Sequence, residues 1–231
     1  MGLKSDLETE VAAMFRQLWT ERDGTVVPDD KSLTLSNTAV KLDATVLYAD
    51  LADSTKLVDN WKPWFAAEMY KSFLYCAAKI IRSEGGEITA YDGDRIMAVF
   101  LGSYKNTTAI RTALKINYAA KNIVQVAKNA QYNDTFTLSH VVGIDTSQLF
   151  VAKTGVRGAN DLVWVGRAAN YAAKLAALPD AYATYITSEV YTGCTDAGRI
   201  GSDGLNMWQA ARWDNFDSRT IYRSTYWWTF T

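Results

Sequence analysis

The sequence predicts an α+β domain on a ferredoxin-like βαββαβ core, with extra strands toward the C-terminus and a helix at the N-terminus. Three observations carry this. Strand-like and helix-like segments alternate from residue 43 onward. Two runs in the middle, "EITAY" (87–91) and "RIMAVF" (95–100), are joined by Asp92, Gly93 and Asp94, and Asp-Gly between alternating apolar runs is a strong hairpin signal. A consecutive strand pair inside an alternating order implies an antiparallel-rich sheet with helices on one face.

Each element has its own signal. Residues 5–20 place Leu7, Val11, Met14, Phe15 and Leu18 on one face at helical spacing, and Ser5 with Glu8 has the form of a capping box. "ERDGTVVPDDKS" (21–32) reads as a linker, so residues 1–39 form a helix and linker and residues 40–231 the main domain. The apolar stripe needs a partner, either the domain or a second subunit. "DATVLYAD" (43–50) is a strand. From Pro63, Phe65, Met69, Phe73, Ala77 and Ile80 mark a helix closed by Gly85 and Gly86. After the hairpin, Ile110, Ala113, Asn117, Ala120, Val124 and Ala127 mark a second helix, and "FTLSHVVGI" and "QLFVAK" follow as strands. The aromatic "STYWWTF" near the C-terminus fits an edge strand or part of a subunit interface.

Composition narrows the function classes. The chain has 231 residues, 48% of them hydrophobic, enough for a full core. Twenty-four basic residues against 25 acidic ones, scattered rather than clustered, give no footprint of a duplex nucleic-acid binder or a membrane-surface protein. Cys76 and Cys194 lack metal-ligand spacing and read as buried thiols. No apolar run approaches the ~20 residues that span a bilayer, and no signal peptide is evident, so the expected setting is cytoplasmic.

The chemistry gathers at two carboxylates. Asp50 ends an apolar strand, and Asp94 lies on the tip of the hairpin expected beside it. Two such groups together are costly unless a cation neutralises them. Hard divalent ions prefer carboxylate oxygen, and magnesium is often held by one or two carboxylates plus substrate phosphates. From spacing alone, the same residues also fit a solvated turn and a helix cap.

"VLYADLADST" (46–55), "GDRIMAVF" (93–100) and "VGRAANYAAKL" (165–175) occur in the order of three motifs of the class III nucleotidyl cyclases, and the chain resembles that family over roughly residues 42–180. The resemblance implies attack of a ribose 3′-hydroxyl on the α-phosphate of a nucleoside triphosphate, with release of pyrophosphate. It implies two manganese or magnesium ions held by Asp50, Asp94 and the Leu51 carbonyl. Asp53, Ser54 and Thr55 would face the β- and γ-phosphates at a helix N-terminus, with Asp53 turned away because its charge opposes phosphate. Asn170 matches the ribose-orienting asparagine. Lys174 stands where the family carries a transition-state arginine; it keeps the charge and loses the planar fork, and a solvated lysine is the alternative. Because the family divides the aspartates and the Asn/Arg helix between two subunits, a homodimer with interfacial sites is implied.

The base-reading positions depart from the purine pattern. Ala90 and Val163 occupy them, and neither can hydrogen-bond a base edge. With both aspartates and Asn170 present, the chain resembles the pyrimidine nucleotide cyclases of bacterial anti-phage signalling. That implies UTP as substrate and cyclic UMP as product, with CTP as the alternative and a separate effector protein downstream. An adenylate or guanylate cyclase with other base contacts, and a silent nucleotide-binding module, remain open. Tyr48, two residues before Asp50 and so on the same strand face, is the candidate base reader. Arg95 is a candidate for neutralising pyrophosphate, Asp92 a turn residue, and His140 structural.

Overall fold

The computed structural model describes residues 2–29, 31–214 and 216–230. The core follows the expected order. Strand β2 (Thr38–Leu51) leads through α2 (Ser54–Asn60) and α3 (Pro63–Ser83) to the hairpin of β3 (Glu87–Asp92) and β4 (Arg95–Phe100). Helix α4 (Lys105–Ala119) then runs through a π-helical turn (Ala120–Val124) into α5 (Gln125–Gln131), and β5 (His140–Val156) closes the unit. The sheet order β3-β4-β2-β5 puts β2 at the centre, paired antiparallel to both β4 and β5.

Beyond this unit, β6 (Ala159–Val165) folds back on the far half of β5, and α6 (Arg167–Ala176) follows. Strand β7 (Thr184–Thr187) pairs parallel to β5, and α7 (Ser188–Gly193) leads on to β8 (Gln209–Trp213) and β9 (Arg219–Ser224). The sheet is thus mixed.

Two cores follow from the alternation along β2. Leu47, Ala49 and Leu51 join the helices α3 and α4 on one face, around Phe73, Ile96, Phe100, Ile110 and Leu114. Val40, Leu42, Ala44 and Val46 join Ala168, Ala169 and Ala172 of α6 on the other, with Tyr48 and Ala90 packed against them.

Several expectations change. Helix α1 spans Leu3–Arg16 and starts at Gly2 without a side-chain cap, so Ser5 and Glu8 form no capping box; Ser5 sits in the first turn, its carbonyl taken by the Thr9 hydroxyl. The helix stops before residue 20 because the Asn37 amide donates to the Met14 and Gln17 carbonyls, both at 2.8 Å. The expected linker opens with β1 (Thr20–Asp23), parallel to the start of β2, and Leu33 is buried in the second core. The stripe of α1 is exposed along its length.

"HVVGI" (140–144) and "QLFVAK" share one strand, and residues 136–139 of the expected first strand lie before it without regular structure. Asp145, Thr146 and Ser147 between them do not turn the chain, because Asp145 is fully buried and bonded by Arg167 and Thr187. After Ser224 the aromatic tail forms no strand. It crosses α4, where Asn117 donates to the Thr225 and Tyr226 carbonyls and Tyr118 packs on Trp227 and Phe230.

Candidate active site

Asp50 and Asp94 come together. Asp50 stands near the end of β2 and pairs across the ladder with Arg95, the residue after Asp94. The hairpin turns at Gly93 with φ +63°, which glycine adopts without strain, and Asp94 follows at the tip. Burial raises the Asp50 carboxyl to about 6, the charge of Asp94 adds to the rise, and Arg95 and the Leu51 N–H oppose it. Arg95, which is also bonded to Asp92, thus offsets the burial and mutual repulsion of the two carboxylates only in part.

A divalent cation suits this donor set. Among the described residues no third His, Cys, Asp or Glu completes a protein-only metal cluster. Two carboxylates and a backbone carbonyl leave positions for substrate phosphate, the manner in which magnesium is commonly held.

A cleft of about 620 Å³ opens beside Asp50, lined by Leu51, Asp53, Ser54, Thr55 and Lys56 on one wall and by Ala176, the last residue of α6, and residues 177–180 after it on the other. Asp53 has φ +55°, and its carboxylate pairs with Lys56 at 2.9 Å. Helix α2 has only seven residues. Ser54 and Thr55 thus meet the cleft as individual donors, with no long helix behind them. Lys56 escaped the sequence reading, since a lysine after "ADST" carries no signal of its own.

Tyr48 and Ala90 lie on the Asp50 face of the sheet, both opposite Met97 in register. Burial raises the Tyr48 phenol above its ordinary value, and Arg95 opposes that rise. Arg95 is bonded to Asp92, so Asp92 is a partner as well as a turn residue. Val163 is 38% exposed on β6. His140 is buried against Phe73, and burial lowers its pKa to about 4, consistent with a structural role.

Asn170 and Lys174 do not line the Asp50 cleft. Both are exposed on α6, and the Lys174 ammonium lies 4.2 Å from the Phe216 ring centroid. The position of α6 rests on two features absent from the sequence reading. Gly143 lets the helix approach β5, and Arg167 at its first turn bonds Asp145, Glu189 and the Thr146 carbonyl. A glycine inside the run "HVVGI" is the available signal for such an approach.

The fold is that of a class III nucleotidyl cyclase domain. It matches the crystal structure of the adenylyl cyclase CyaB from P. aeruginosa with a TM-score of 0.68 at 21% identity, covering 80% of this chain and 95% of that one. No family model matches the chain. A uridylate cyclase from Xanthomonas perforans is 56% identical over 99% of both chains, and one from Burkholderia cepacia is 51% identical over 99% of this chain and all of that one. The chain belongs to the uridylate cyclase family of nucleotidyl cyclases.

Proposed function

We propose that this chain converts UTP to 3′,5′-cyclic UMP and pyrophosphate. The observation that carries the reading is that the fold brings Asp50, at the end of β2 beside a cleft, near Asp94 on the tip of the adjoining hairpin, in a chain whose relatives are named uridylate cyclases. Asp50, Asp94 and the Leu51 carbonyl would hold two divalent ions, manganese or magnesium. When bound, such ions acidify the 3′-hydroxyl and neutralise the triphosphate, as an in-line displacement requires.

The chain's own residues do the rest. Ser54 and Thr55 donate to the β- and γ-phosphates, and Lys56, once shared with Asp53, lends charge to the same end. Tyr48 meets the base, while Ala90 and Val163 offer a purine nothing to bond. Asn170 orients the ribose and Lys174 steadies the charge building on the transferred phosphorus. These two lie outside the Asp50 cleft of their own chain, which supports a working unit in which a second copy supplies them, a homodimer with two composite sites.

The product acts as a second messenger in anti-phage defence, read by a separate effector in the cytoplasm. Among the described residues no helix is long and apolar enough to cross a membrane. A second reading, a silent nucleotide-binding module, draws on Lys174 resting on Phe216. Incubation with each of the four ribonucleoside triphosphates and manganese separates the two: cyclic UMP as the main product supports the first, and binding without pyrophosphate release from any of them supports the second.

A further inference from the structure

The sheet register gives Arg95 a place that its motif does not announce. Partners opposite one another in a ladder project to the same face. Asp50 opposes Arg95, Asp92 opposes Arg95, and Tyr48 and Ala90 both oppose Met97. Arg95 therefore shares one face with Tyr48, Asp50 and Asp92. It is the diagonal neighbour of Tyr48, a relation that long side chains span. Tyr48 stands two residues, about 6.6 Å, from Asp50 along β2. A base joined through its ribose to a phosphate at Asp50 thus meets Tyr48 and Arg95 together.

The two side chains have unequal chemistry. A guanidinium only donates, whereas a phenol donates or accepts. Uracil carries a carbonyl oxygen at position 4 beside an N3–H. Cytosine has an amino group at position 4 and an unprotonated N3. Against cytosine the guanidinium would meet another donor and leave both unpaired, a costly state for partly buried groups. Asp92, bonded to Arg95, fixes its direction.

We propose that Arg95 selects uracil over cytosine, donating to the 4-carbonyl while the Tyr48 oxygen accepts the N3–H. This rests on the reading of Asp50, Asp94 and Tyr48 given above. An arginine that served only the triphosphate would act on UTP and CTP alike.

The test is competition between equimolar UTP and CTP with manganese, the cyclic products counted by mass spectrometry. The full chain should favour cyclic UMP by roughly 10- to 100-fold, the discrimination that one charge-assisted hydrogen bond supplies. Arg95→Gln, whose amide can turn either donor or acceptor toward position 4, should lower that ratio at least tenfold. Arg95→Lys stays donor-only and should keep most of it. Where turnover of a variant is too slow to count, the ratio of UTP and CTP Kd values from calorimetry gives the same readout. An unchanged ratio in Arg95→Gln with both products reduced would overturn the proposal and leave the pyrimidine cyclase standing. So would an unmodified protein that makes both products equally. Conversion of ATP or GTP alone would instead refute the pyrimidine reading itself, and this inference with it.

Discussion

Gly143 on β5 lies directly under Ala172 on α6: a Cβ on the glycine would stand 2.1 Å from the Ala172 carbonyl oxygen and 2.4 Å from the Ala176 nitrogen. The obstacle is backbone, which cannot swing aside as a side chain could. Helix α6, the carrier of Asn170 and Lys174, therefore sits where it does only because position 143 has no side chain.

Gly143→Ala should cost at least the roughly 1–3 kcal/mol typical of overpacking. For a chain of this size, each kcal/mol lowers the midpoint of thermal unfolding by about 2–4 °C. Differential scanning fluorimetry measures it. A midpoint within one degree of the unsubstituted protein would mean that α6 packs elsewhere.

Arg167 ties the start of α6 to a fully buried carboxylate. Burial raises the Asp145 carboxyl above its ordinary value, against the pull of Thr187 and Arg167. A carboxyl raised in the fold contributes stability that is full below its unfolded value and is lost as pH rises through the folded one. Arg167→Met removes the nearest cation and widens that loss. The expected cost is about 3–5 kcal/mol at neutral pH, the range for breaking a buried pair, and it should shrink as the pH falls into the range where Asp145 is protonated. Urea melts at two pH values check this; a deficit independent of pH would argue against an uncompensated Asp145.

The ferredoxin-like order was legible because its signals are local: Pro63 and Gly85 bracket α3, and Asp-Gly marks the hairpin. The unbroken β5 was not legible, since Asp145-Thr146-Ser147 looks like a turn until Arg167, 22 residues away, is seen to satisfy the aspartate. Strand β1 was hidden for a similar reason, because its four residues are all exposed and show no alternation. At the site, Asp50 and Asp94 could be named from their motifs, but the nearness of Arg95 to Tyr48 is a property of register. Sequence spacing does not contain it.

Asn170 and Lys174 should work in trans. Asp50→Asn and Asn170→Ala should each be nearly inactive alone, yet mixing the two after subunit exchange should restore a fraction of the activity, because one composite site per mixed dimer is intact. Lys174→Ala should lower kcat on the order of 10²–10³, the scale of losing one transition-state contact, with KM little changed. Steady-state assays decide both. No recovery on mixing, despite verified exchange, would place the whole site within one chain.

The most direct test of the central claim counts manganese. With an unreactive UTP analogue present, electron paramagnetic resonance or calorimetry should find about two ions per active site, in keeping with a two-metal displacement. Asp50→Asn and Asp94→Asn should each abolish that binding while the chain stays folded. Undiminished manganese binding in both variants would contradict the account, since the two carboxylates would then hold no metal against the triphosphate.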